Sequence, residues 1–199
     1  MAKERLKSPR ARLFVALDLP GEVRERIVAW QERELTDPAL RPVEPASLHM
    51  TLVFLGYQAE KDLGRIAEAA LGVEQPVAPE VEVLPDPIGV PRGRRPRLYA
   101  LDAPSEGAVA LQGEVERRLV AARFHEAEKR PFWSHLTVAR VKPAERGSRK
   151  PAEVGRPPGP LDGTPVRFHP TRLVVFRSHL RPTGAEYEPM AELELPAAT

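Results

Sequence analysis

The chain has 199 residues, 42% of them hydrophobic and 29% charged, and a formal charge of +2, the balance of a globular protein able to bury a core. It has no cysteine, which excludes a disulfide framework, a thiolate nucleophile and a Cys-ligated metal. The apolar runs are strand-sized, so no membrane-spanning helix is expected, and a reducing cytoplasm is the expected compartment.

The opening MAKERLKSPR is polar and basic without an apolar stretch. It reads as a disordered arm over residues 1–11 rather than a secretory leader. RLFVALDL (12–19) alternates as a strand does, and Pro20 then opens a helix, GEVRERIVAWQERE, with Val23, Ile27, Val28 and Trp30 roughly on one face. SLHMTLVFLG (47–56) is the next strand, closed by Gly56. Strict alternation puts His49, Thr51 and Val53 on one face and Leu48, Met50, Leu52 and Phe54 on the other, as a core.

Residues 59–72 read as a second helix, and 77–84 and 96–102 as strands around the loop RGRRPR. Residues 105–123 form a long amphipathic helix, followed by a strand around SHLTVAR. A loose Pro/Gly/Arg-rich segment spans 143–163, and strands are expected near 164–168, 171–180 and 186–195, with a tail at 196–199. The 23 prolines point to stiff connections. Helices lie between strands that need not be parallel, so the class is α+β.

A repeat is visible within the chain. RLFVALDLP resembles RLYALDAP; each is followed by a helix and then by HMT or HLT. Asp18 matches Asp102 at an offset of 84, and His49 matches His135 at an offset of 86. Two coincidences at nearly one offset imply two pseudo-equivalent lobes, about 12–56 and 97–142, within one bilobal domain over 12–195. Each lobe would be a small, mostly antiparallel sheet with helices. A pseudo-twofold axis would set the two His-x-Thr strands side by side across a cleft.

Imidazole is the side chain that gives and takes protons near neutrality. Two facing imidazoles suit a reaction needing a base on one side and an acid on the other, and a threonine two places on offers a hydroxyl to an anion. With a nearby arginine this describes a pocket for a phosphodiester. A metal site would want a third ligand, and His125, His169 and His179 have no ligand spacing with either motif. Nucleophile-elbow, Walker and Rossmann patterns are absent. Arg92, Arg94 and Arg95 crowd one loop and are candidate RNA-backbone contacts.

The segments RLFVALDLP, LHMTLVFLG, RPRLYALD, PFWSHLTVARV and FRSHLRPTGAEYEPMAEL resemble the two-histidine phosphoesterase superfamily. Within it the chain is most similar to RNA 2′,3′-cyclic phosphodiesterases, also called RNA 2′-5′ ligases. Segment 143–163 has no counterpart there, and Trp133 stands where members vary. The resemblance implies His49 and His135 as the catalytic pair, His135 as base and His49 as acid, with Thr51 and Thr137 as phosphate donors. It implies Arg140 as a further phosphate ligand and Phe54 as a ring on which the terminal base stacks. Simple alternation opposes these last two, because an offset of five from each histidine falls on the other face; a bulge, strong twist or strand end would be needed.

The resemblance implies hydrolysis of RNA 2′,3′-cyclic phosphate ends to 2′-phosphomonoesters without metal or cofactor, and reversible 2′-5′ ligation. The substrate would be RNA, with tRNA fragments as one candidate, and the protein a monomer off the membrane. The alternative is an RNA- or nucleotide-binding module of the same fold without turnover.

Overall fold

In the computed structural model, which describes residues 9–162, 165–181 and 184–196, ten strands and three helices make two four-stranded antiparallel sheets and one two-stranded ladder. The expected arm lies outside the described residues except at its end: strand β1 (Arg10–Asp18) begins at Arg10. Helix α1 (Gly21–Glu34) follows, then β2 (Leu40–Pro42), a 3₁₀ turn, and β3 (His49–Ala59). After α2 (Leu63–Leu71) come β4 (Val81–Val83), β5 (Pro87–Val90) and β6 (Leu98–Asp102). Helix α3 (Glu106–Ala121) leads to β7 (His135–Val141), β8 (Val166–Phe168), β9 (Arg172–Arg181) and β10 (Gly184–Glu194).

The α+β class and the mostly antiparallel sheets follow the pattern read from the sequence. One sheet has the order β10-β9-β1-β3 and the other β2-β7-β6-β5. The repeat is physical: β1 pairs with β3 so that Asp18 faces His49, and β6 pairs with β7 so that Asp102 faces His135. Strands β4 and β8 form the two-stranded ladder, with Glu82 opposite Arg167. That pair is 85 residues apart, within one residue of the offsets that relate the two motifs. The guanidinium and carboxylate meet there at 3.0 Å.

Several elements differ from the sequence reading. Strands β2 and β5 have no counterpart in the sequence reading; they are three and four residues long, too short to show a period. The helix expected from 59 begins with a 3₁₀ turn at Glu60–Asp62, and the strand expected over 77–84 shrinks to β4. Strand β3 does not end at Gly56 but continues to Ala59. Gly56, at φ 65, occupies a bulge beside Leu55, a conformation that glycine adopts without the steric penalty of a Cβ.

The core lies between helices and sheets. Ser105 caps α3 by accepting from the Ala108 amide at 3.0 Å, and α3 buries Leu111, Val115 and Leu119. Helix α1 buries Val23, Ile27 and Trp30. Each large aliphatic side chain so buried is worth about 1.5–3 kcal/mol. Trp30 Nε1 donates to Gly159 O at 3.1 Å, and Gly159 N donates to Glu34 at 3.0 Å. Segment 143–162 is held against the first lobe by these bonds, by Arg156 N donating to Asp37, and by fully buried Leu161.

Candidate active site

Strands β3 and β7 pack near one another between the two sheets, and a cleft of about 550 Å³ opens over both. His49, Thr51 and Phe54 line it from one wall; His135, Thr137 and Arg140 line it from the other. All six side chains assigned to the reacting centre thus share one space. Arg92, Arg94 and Arg95 do not line it. Arg95 pairs with Glu153 at 2.6 Å, and Arg92 lies 3.9 Å from Asp102, the neighbour of His135 across the ladder.

A bulge explains how the offset of five reaches the histidine face. In β3, Ala16 faces Thr51 and Val15 faces Val53, so Leu52 is an extra residue. In β7, Ala100 faces Thr137 and Tyr99 faces Ala139, so Val138 is extra. Leu52 and Val53 are both buried, as are Val138 and Ala139. One residue is therefore absorbed without changing face, and Phe54 and Arg140 emerge on the side of the histidines. This corrects the strict alternation: Val53 is core and Phe54, 59% exposed, is not.

The bulge in β7 has its own supports. The carbonyl of Val138 accepts from the Val43 amide at 2.9 Å and from Gln31 Nε2 at 2.8 Å. Gln31 is a buried polar residue of α1, and its second bond goes to Val43 O at 3.1 Å. The two bonds satisfy backbone groups that an irregular strand leaves without ladder partners.

Both imidazoles are anchored alike. His49 Nδ1 donates to Ser47 O at 2.7 Å, and His135 Nδ1 donates to Trp133 O at 2.7 Å. Each neutral ring therefore carries its proton on Nδ1, leaving Nε2 as the basic nitrogen. Thr51 Oγ1 donates to His49 Nε2 at 2.9 Å. Around the rings the two sides diverge. His49 sits among aromatics: Phe14 at 4.9 Å between centroids and Tyr187 edge-on at 5.1 Å. His135 is stacked on Trp133 at 4.1 Å and 13°, and Trp133 Nε1 donates to Asp102.

The electrostatics follow. Burial is the main force lowering the His49 imidazole to about 4, with the positive Arg140, His135 and Arg24 adding to it and the Ser47 carbonyl opposing. Burial also lowers His135, but the Trp133 carbonyl and the Asp102 carboxylate both raise it. Asp18, the counterpart of Asp102, is occupied elsewhere: Arg24 holds one oxygen at 2.6 Å and Arg172 the other.

Phe14, Tyr187 and Arg41 were not foreseen in the cleft, nor was Trp133 as a partner of His135. The His-x-Thr spacing and the family resemblance pointed at the site; strands β1, β2 and β10 bring Phe14, Arg41 and Tyr187 in from distant sequence. Among the described residues no group of three or more His, Asp or Glu is placed to hold a metal, and no helix is long and apolar enough to cross a membrane.

Known proteins resemble the chain over most of its length. The profile of LigT-like phosphoesterases matches residues 17–84, which hold the first motif. A Thermus thermophilus protein named RNA 2′,3′-cyclic phosphodiesterase is 31% identical over 92% of this chain and 90% of its own. One of the same name from Archaeoglobus fulgidus is 33% identical over 66% and 73%. Among solved structures, one from Thermus thermophilus matches with a TM-score of 0.75 at 27% identity, over 94% of this chain and 100% of that one. Escherichia coli LigT complexed with 3′-AMP matches with a TM-score of 0.69 at 26% identity, over 94% and 99%.

Proposed function

Because this chain belongs to the LigT-like phosphoesterases, we propose that it hydrolyses the 2′,3′-cyclic phosphate ends of RNA, as the names of its relatives describe. The observation that carries this reading is the pair of imidazoles on facing strands, each fixed by a carbonyl so that Nε2 is the titrating atom. A module that only binds has no need of two titrating groups.

In this reading Thr51, Thr137 and Arg140 hold the phosphoryl oxygens, and the terminal base stacks on Phe54. His135 Nε2 takes a proton from water, whose oxygen bonds to phosphorus. The bond from phosphorus to the 3′-oxygen breaks, and that oxygen takes the proton of His49 Nε2. The product is a 2′-phosphomonoester with a free 3′-hydroxyl. With a 5′-hydroxyl RNA end in place of water, the same steps join a 2′-5′ link, and their reversal cleaves it. This assignment needs the proton on the imidazole that the cleft itself deprotonates more strongly; the anionic phosphodiester, once bound, raises both and favours the charged ring.

Arg92, Arg94 and Arg95, on the loop beside Asp102, would meet RNA backbone beyond the terminal nucleotide. The reading extends to a monomeric cytoplasmic enzyme with tRNA fragments among its substrates. Opening 2′,3′-cyclic AMP and resolving the two monophosphates by chromatography tests the reaction: 2′-AMP is expected, and 3′-AMP as main product refutes the leaving-group assignment. Replacing the three loop arginines with Ala should weaken an oligonucleotide more than the mononucleotide; equal loss removes them from RNA binding.

A further inference from the structure

Arg41, on β2, plays no part in the acid–base chemistry. It stands directly opposite Arg140 on β7, and both line the cleft. Directly opposed residues of an antiparallel pair share a face, with Cβ atoms about 5 Å apart, and like charges in that position repel. Two guanidiniums held in register on one wall form a paired donor set for anions, each with the planar fork that matches a phosphate edge. The first residue of β10 lies over Arg41. A Cβ built on Gly184 would lie 3.7 Å from the Arg41 guanidinium, so the backbone of that strand approaches the group closely.

The geometry points to Arg41 as the ligand of a second phosphate: the phosphodiester on the 5′ side of the cyclic end, next to the phosphoryl group that Arg140 takes. This rests on the reading that the cleft opens RNA cyclic phosphates. In an RNA end the next phosphate follows one ribose away, and Arg41 is one strand spacing, about 4.8 Å, from Arg140. A cyclic mononucleotide without a 5′-phosphate leaves this subsite empty. The contact is the same before and during reaction, so it lowers KM and leaves kcat alone.

The test compares adenosine 2′,3′-cyclic phosphate with the same compound carrying a 5′-phosphate. In the wild-type protein the 5′-phosphate should lower KM about tenfold to a hundredfold, the scale of a charge-assisted hydrogen bond. In Arg41→Ala and in Arg41→Gln, which keeps much of the stem, that ratio should fall to within about twofold. A wild-type ratio near one, or a ratio retained in both variants, overturns the proposal. So does an equal loss of kcat/KM on both substrates with the ratio retained, because Arg41 then serves the reacting phosphate. If neither substrate turns over, the activity reading fails by itself. The subsite is then decided by calorimetry, with adenosine 3′,5′-bisphosphate against 3′-AMP and the same ratio as readout.

Discussion

The two halves of this molecule share a backbone and oppose each other in side chains. In both, an aspartate faces a histidine across a ladder, a carbonyl two residues back holds Nδ1, and one extra residue after the threonine turns the strand. Yet the sheet that carries β1 and β3 presents rings to the cleft, Phe14, Phe54 and Tyr187, beside Arg12 and Arg181, while the sheet that carries β7 presents Arg140 and, from β2, Arg41. A nucleotide has the same division, with a flat apolar base and an anionic phosphate. The duplicated frame supplies two equivalent imidazoles, and the divergence of the walls supplies an orientation.

The largest effects should fall on what the halves share. His49→Ala and His135→Ala should each lower the rate of cyclic-phosphate opening by about 10²–10⁴, the worth of a general acid or base, with an unchanged far-UV spectrum. EDTA should leave the wild-type rate as it is. A loss below tenfold in either variant would mean that the pair does not divide the proton transfers, and activity restored by zinc or manganese after chelation would replace this chemistry with another.

Smaller effects should separate the walls. In the proposed reaction Arg140→Met removes a donor to the charge that builds on the phosphoryl oxygens, and it should cost about 10²–10³ in kcat. In the same reading Phe54→Ala removes a stacking ring worth about 1–3 kcal/mol per base, which should raise KM with little change in kcat. The contrast can be checked in one set of steady-state assays on 2′,3′-cyclic AMP and the cyclic phosphate of an abasic ribose. On the abasic compound Phe54→Ala should match the wild type while Arg140→Met stays impaired. If Phe54→Ala is equally impaired on both, the ring supports the strand rather than the base.

This division was partly legible in the sequence. The repeat and both His-x-Thr motifs can be read directly, because they depend on spacing along one strand. The side on which Phe54 and Arg140 emerge cannot, because it depends on the extra residues Leu52 and Val138, and nothing in MTLV or LTVA marks a bulge. The Val138 carbonyl is held by Gln31, more than a hundred residues earlier, so the cause of the irregularity lies in a tertiary contact. For the same reason Tyr187 and Arg41 were invisible: each reaches the cleft on a strand whose own pattern says only that it is a strand, or not even that.

The subtlest difference between the halves is the pair of aspartates, and pH can expose it. In kcat/KM the free protein titrates, and the active form carries one proton on the imidazole pair. His49 is lowered to about 4 and His135 is lowered from 6.5, so the bell for kcat/KM should lie below pH 6.5. In kcat, where the bound phosphodiester favours imidazolium, both limbs should move to higher pH. Asp102 raises His135, and neutralising it removes that support. Asp102→Asn, which keeps an acceptor for the Trp133 indole, should move the alkaline limb of kcat/KM to lower pH. The shift should be less than about one unit, because the carboxylate is partly open to solvent and such pairs are worth about 1 kcal/mol or less. Asp18→Asn should leave that limb in place and lower the melting temperature instead, since Asp18 serves Arg24 and Arg172 rather than an imidazole. Equal shifts in the two variants would show that the halves are electrostatically alike, and the contrast drawn between them would fail at its finest point.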